Sequence, residues 1–121
     1  MASVCFYFQV HQPYRLRHYT IFDSDSDYFD GYKNAQVCRK VAEKCYLPAN
    51  RLLLDLIRRY EGRFKVAFSI TGVLLEQLRD YVPEALASFQ DLANTGCVEF
   101  LAETYHHSLS SLFSPCEFAW Q

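Results

Sequence analysis

The sequence predicts an α/β fold built on parallel strands, and three observations carry that reading. Short, near-continuous apolar runs recur at 4–10 (VCFYFQV), 64–71 (FKVAFSIT) and 97–102 (CVEFLA). Such runs suit strands covered on both faces rather than strands with one wet face. Segments with helical spacing lie between them, and the order strand, helix, strand, helix, strand is what right-handed parallel crossovers produce.

Each element has its own signal. The first strand leads into His11-Gln12-Pro13, where Pro13 removes a backbone donor and turns the chain out into a loop. The connection from there to Pro48 is long and carries Tyr14, Tyr19, Phe22, Tyr28, Phe29 and Tyr32. Insertions of that size after a strand are commonly functional, and its aromatics suit sugar stacking or ordinary packing equally well. A short helix is expected near 34–45, with Cys38, Val41, Ala42 and Cys45 on one stripe. Pro48 then opens a separate helix at a favoured first-turn position. Leu53, Leu56, Ile57 and Tyr60 mark its apolar face, Arg51, Asp55, Arg58 and Arg59 its polar one, and Gly62 its stop. After the second strand, Leu74, Leu75 and Leu78 mark a short helix. Pro83 opens another, with Leu86, Phe89 and Ala93 inward and Gly96 as its stop. Past the third strand, Ser114-Pro115-Cys116-Glu117 reads as a helix start, with a Ser N-cap, Pro at N1 and Glu at N3. No repeat, low-complexity tract or linker divides residues 1–121. A helix start so close to Gln121, and three parallel strands with bare edges, predict an N-terminal piece of a longer chain.

Composition excludes several classes. Of the 121 residues, 50% are hydrophobic and 17% aromatic, so a core is available; the net charge is −2 with acids and bases scattered. That is no electrostatic footprint for nucleic acid or a polybasic membrane contact. No apolar run approaches the ~20 residues that span a bilayer, and the start, MASVCFYFQV, lacks the features of a signal peptide. The expectation is a cytoplasmic protein with no membrane or nucleic-acid partner. Five cysteines (Cys5, Cys38, Cys45, Cys97 and Cys116), an odd count without C-x-x-C, read as reduced packing residues. Asp23-Ser24-Asp25-Ser26-Asp27 opens like a calcium loop, but Tyr28 stands where a glycine is required and Asn34 where a glutamate is. The histidines lack metal-ligand spacing, and no glycine-rich phosphate cradle exists. No metal and no cofactor are expected.

In a strand, residues i and i+2 share a face. That pairs Gln9 with His11 and Ser69 with Thr71, and aligns Glu99, Leu101 and Glu103. Each strand thus turns polar groups to one face towards its carboxyl end, where parallel α/β folds hold their sites. The polar pairs on the neighbouring strands favour a functional His11 over a hydrogen-bonded core histidine. Glu99, between Val98 and Phe100, is costly to bury unless paired or used; an ion pair with arginine is the structural alternative. Glu103, nearer the strand exit, is as readily solvated. Tyr105-His106-His107 offers a flat apolar face and hydrogen-bonding tips suited to a polyol, with a plain surface loop as the alternative.

These residues carry a family resemblance. "FQVHQPYRLR" resembles the first motif of glycoside hydrolase family 57, centred on His-Gln-Pro, and "GCVEFLAETYHHSL" its second, Gly-x-Val-Glu with a downstream tyrosine and histidine. "AEKCYLPANRLLLDLI" is similar to the family's first framework helix. The wording of the second motif most resembles the α-amylase-like branch. The resemblance implies the first three β/α units of an incomplete (β/α)7 barrel in a retaining, metal-independent enzyme acting on α-glucans. It implies that His11, Gln12, Glu99, Tyr105 and His107 bind the substrate. It places the nucleophilic glutamate and the aspartate acid/base in later motifs, so no catalytic residue is expected here. A 4-α-glucanotransferase or branching enzyme, a metal-dependent esterase or mannosidase on a related barrel, and a non-catalytic sugar-binding remnant stay open as alternatives.

Overall fold

The computed structural model describes residues 3–121. Three parallel strands, β1 (Tyr7–Val10), β2 (Val66–Ile70) and β3 (Val98–Leu101), pair in sequence order. The register sets Tyr7, Ala67 and Glu99 side by side, and Gln9, Ser69 and Leu101 one step further on.

One face of this sheet is apolar. Phe68 at its centre stacks between Phe8 (ring centroids 5.3 Å) and Phe100 (5.9 Å) and takes the edge of Phe89 at 5.6 Å. Val10, Val66 and Phe68 join Cys38, Ala42, Tyr46, Leu53, Ile57, Leu74, Leu78 and Leu92 in the core. The helices of both crossovers therefore pack on the same side. Consecutive strand order with both crossovers' helices on one face fits the wall of a barrel; a doubly wound sheet would reverse its order and cover both faces. The opposite face carries no such layer, and Tyr7 on it is half exposed. The expectation of strands covered on both faces thus holds for one face only.

The first crossover differs from the sequence reading. Helix α1 (Gly31–Val41), a π turn (Ala42–Tyr46) and α2 (Leu47–Arg59) form one unbroken helical run, not two separate helices. Pro48 lies inside that run. Its missing N–H deprives the preceding turn of a hydrogen bond, and its ring would crowd the carbonyl four residues back. The π turn widens the helix there, and the Leu47 N–H bonds Ala42 O, five residues back. The wider turn also shifts the buried stripe: Cys38, Ala42 and Tyr46 are buried, while Cys45 is exposed. Asp30 caps the run by accepting from Lys33 N at 2.8 Å.

The second crossover contains α3 (Gly72–Tyr81) and α4 (Pro83–Asn94). Thr71 caps α3, and Gly96, at φ +67°, ends the turn after α4 in the left-handed conformation that glycine adopts freely. Two of the expected inward positions are shifted. Ala85, Phe89 and Leu92 are buried on α4, whereas Ala93 is exposed; on α3, Leu74 and Leu78 are buried and Leu75 is partly exposed. Leu75, Leu86, Phe89, Ala93, Phe100 and Tyr105 instead line an open groove beside β3. Of the cysteines, Cys38 is buried and Cys97 half-buried, but Cys5, Cys45 and Cys116 are exposed, so the packing role fits two of five. The chain closes with α5 (Ser110–Phe113) and α6 (Pro115–Trp120), where Ser114 caps α6 from the predicted position. Among the described residues no helix is long and apolar enough to cross a membrane.

Candidate functional site

The site lies at the carboxyl ends of the strands, on the face that the helices leave open. His11 follows β1 directly and its Nδ1 meets Thr71 Oγ1 at 2.8 Å. Thr71 therefore does two jobs: its hydroxyl also accepts the Leu74 N–H at the start of α3. Burial, then the neighbouring His107, lower the His11 pKa; Glu103 opposes them. The ring is held neutral at pH 7, as a hydrogen-bonding partner and not a cation.

Glu103, Gln9 and His107 make a second cluster beside it. Gln9 Nε2 donates to Glu103 Oε1 at 2.7 Å, and His107 Nδ1 contacts the same oxygen. The Glu103 side chain is only 10% exposed. Burial works to raise its carboxyl, but hydrogen bonding from Gln9, Ser69 and His107 outweighs that and holds it below its ordinary value. Oε2 is buried and has no hydrogen bond of normal geometry. The nearby Ser69 hydroxyl is engaged with Tyr7 Oη at 2.7 Å; with Tyr7 as donor there, the Ser69 proton is left free to favour the charged carboxylate. His107 itself has φ +54°, a left-handed conformation that costs a non-glycine residue free energy. Its N–H bonds Thr104 O at 3.1 Å, and its ring lies 4.9 Å from that of His11.

The remaining candidates are placed elsewhere. Glu99 is exposed, not buried, because the face it stands on carries no covering layer. It is level with Tyr7, not with His11. On an extended chain it lies about 13 Å before Glu103. With Glu103 turned to Gln9 and His107, these two glutamates do not form the pair, about 5–5.5 Å apart, that a retaining glycosidase requires. Gln12 points away from the open face. Its amide donates to the buried Tyr46 hydroxyl at 3.5 Å and accepts from Arg15 at 3.0 Å, while its backbone carbonyl accepts from Gln77 at 2.6 Å. In this chain it ties the loop after β1 to the helices of both crossovers.

Tyr105 is half-buried against α3. Its carbonyl accepts the Val73 N–H at 3.2 Å, and its ring covers Gly72. Hydrogen bonding to the Glu76 carboxylate raises its phenol pKa, followed by burial. Glu76 also accepts from Tyr14 Oη at 3.2 Å, and burial together with that carboxylate pushes Tyr14 up to about 12. His106, part of the Tyr105-His106-His107 run but not among the binders the resemblance implies, lines a cavity of about 180 Å³ with His11, Pro13, Tyr14, Phe29 and Val73. The roles of Thr71, Gln9 and Glu103 in building the site were visible in sequence only as the shared face of i and i+2 residues. No three His, Cys, Asp or Glu side chains converge on a point among the described residues.

The Gly72–Tyr105 contact makes a direct prediction. A Cβ on Gly72 would lie 2.1 Å from Tyr105 Cδ2, and the Val73–Tyr105 backbone bond keeps the ring from retreating. Gly72→Ala is expected to destabilise the chain by ~1–3 kcal/mol, the usual cost of overpacking. Thermal unfolding of Gly72→Ala beside Gly72→Ala/Tyr105→Ala checks it. An unchanged midpoint in the single variant, or no recovery in the double, would contradict the contact.

A parallel sheet with its polar cluster beyond the carboxyl ends of the strands defines an α/β protein of the kind that holds small polar molecules at that end. The chain belongs to glycosyl hydrolase family 57, whose family model matches residues 5–121. It is 48% identical over 113 residues to a protein of Methanocaldococcus jannaschii described as a "Putative alpha-amylase", with 91% of this chain and 24% of that protein covered. The chain thus spans about a quarter of that relative's length. No solved structure matches it.

Proposed function

We propose that residues 1–121 form the first three β/α units of an incomplete (β/α)7 barrel in an α-amylase-like, retaining enzyme that cleaves α-glucans. The observation that carries this reading is the placement of the family's two motifs. His11 from the first and His107 from the second meet ring to ring at 4.9 Å, beyond the carboxyl ends of β1 and β3, the two strands that flank β2 in one parallel sheet. His11 and Glu99 contact the reacting sugar, His107 and Tyr105 support it, and Gln12 holds the loop that carries His11. Half-exposed Tyr7 and exposed Glu99 and Leu101 are then the inner wall of the barrel, left open in this chain. No residue here has the position of a nucleophile or an acid/base, so these are assigned to the continuation of the barrel.

A chimera tests the assignment. This chain replaces the matching segment of the M. jannaschii relative, and turnover of soluble starch is compared with that of the 121-residue chain alone. The chimera is expected to release reducing ends and the chain alone to give none above background. A folded but inactive chimera beside an active parent would count against the reading. Turnover by the chain alone would overturn the assignment of catalysis to the continuation.

A further inference from the structure

We infer that Glu103 is a positioning residue: its carboxylate fixes His107 with the proton on Nδ1, so that Nε2 presents a lone pair to the open face of the sheet. The argument is one of proton counting. Glu103 Oε1 and His107 Nδ1 are in hydrogen-bond contact, and two lone pairs cannot face each other at that separation, so one proton lies between them. The carboxyl is not its source, because hydrogen bonding holds Glu103 in its charged form against the effect of burial. The proton therefore belongs to Nδ1.

Gln9 shares the same carboxylate oxygen. Its Nε2 donates to Oε1 at 2.7 Å and lies 3.0 Å from Nδ1. With Nδ1 protonated, that second approach sets two donors side by side on one acceptor; taken alone it would favour a lone pair on Nδ1, and the charged Glu103 oxygen, the stronger acceptor, decides for the proton. The backbone adds a reason for the arrangement. His107 is held at φ +54°, which costs free energy unless surrounding bonds compensate it. The contact with Glu103, together with the Thr104 carbonyl, supplies that compensation. Glu103 is itself pinned, with a side chain 90% out of solvent, whereas the His107 side chain is 43% exposed. A rigid buried acceptor thus orients a ring that is partly exposed. An imidazole in this state accepts a hydrogen bond from a hydroxyl, the group a polyol offers in quantity.

This inference rests on the proposed sugar site for its purpose but not for its test. In uniformly ¹⁵N-labelled 121-residue chain at pH 8, long-range ¹H–¹⁵N spectra are expected to show a pyrrole-type Nδ1 and a pyridine-type Nε2 for His107. Glu103→Ala is expected to reverse the two, because a free imidazole prefers the proton on Nε2. Glu103→Asp is expected to restore part of the Nδ1–H population. A wild-type His107 protonated on Nε2, or an unchanged tautomer in a folded Glu103→Ala variant, would overturn the assignment. If Glu103→Ala does not fold, the wild-type spectrum alone decides. Maltotriose is then titrated into the same sample: no shift at His107, with its Nδ1–H tautomer intact, would count against the sugar site and leave the Glu103–His107 pair standing.

Discussion

On the proposed reading, His11→Ala in the complete enzyme is expected to lower kcat/KM on maltooligosaccharides ~10²-fold or more, about 2.7 kcal/mol of transition-state binding. The ring is placed for that effect. It is half-buried at the mouth of the sheet, is oriented by Thr71 at 2.8 Å and lies against His107 at 4.9 Å. Burial and the adjacent His107 keep it neutral, so its loss removes an oriented hydrogen bond. Loss of a bond used mainly in the transition state lowers kcat more than it raises KM. Glu99→Gln is expected to cost a comparable factor, and it is the sharper of the two tests. Its register beside Tyr7 and Ala67 sets it further from the carboxyl end of the sheet than His11, so a sugar reaching both must extend well below the strand ends. Steady-state kinetics on the folded variants decide. Near-wild-type kcat/KM for His11→Ala would remove it from the site, and the same outcome for Glu99→Gln would confine the sugar to the level of His11, Thr71 and Glu103.

Phe68→Ala is expected to cost ~3–5 kcal/mol, the range for truncating a buried aromatic. Phe68 is 4% exposed, and three rings pack on it: Phe8 and Phe100 from the flanking strands and Phe89 from α4. Removing it leaves a cavity beneath the rings of Phe8, Phe100 and Phe89, and the strands cannot close on it without breaking the β1–β2 or β2–β3 ladder. A loss of that size is a large part of the ~5–15 kcal/mol by which a whole domain is stable. Phe68→Leu, which keeps most of the volume, should lose much less. Urea unfolding of the three proteins is the measurement. An unchanged midpoint for Phe68→Ala would mean that the sheet and α4 are held together elsewhere.

Periodicity and breakers made most of the fold legible. Apolar runs located all three strands, Gly96 and Ser114 marked a stop and a cap that the structure contains, and the i, i+2 rule placed Gln9, His11, Ser69, Thr71 and Glu103 on one face. These signals are local, written in spacing that a strand or helix must obey whatever surrounds it. Pro48 misled for an equally physical reason. Proline marks a helix start only when nothing helical precedes it; here a π turn absorbs the missing N–H, a geometry that no pattern of side chains announces.

By itself, the sequence determined the parallel α/β class, the end of the sheet at which polar groups gather and the two motifs that mark the family. Tertiary structure alone decided which of those polar groups meet. Glu103, not Glu99, stands with His107 and Gln9, because the four-residue step from one glutamate to the other keeps the face but moves the side chain two i, i+2 steps along the chain. Gln12 turned into the helical layer and Tyr105 onto Gly72. Face and spacing are properties of one strand, but level depends on register, and register is settled only when three strands and their crossovers pack together.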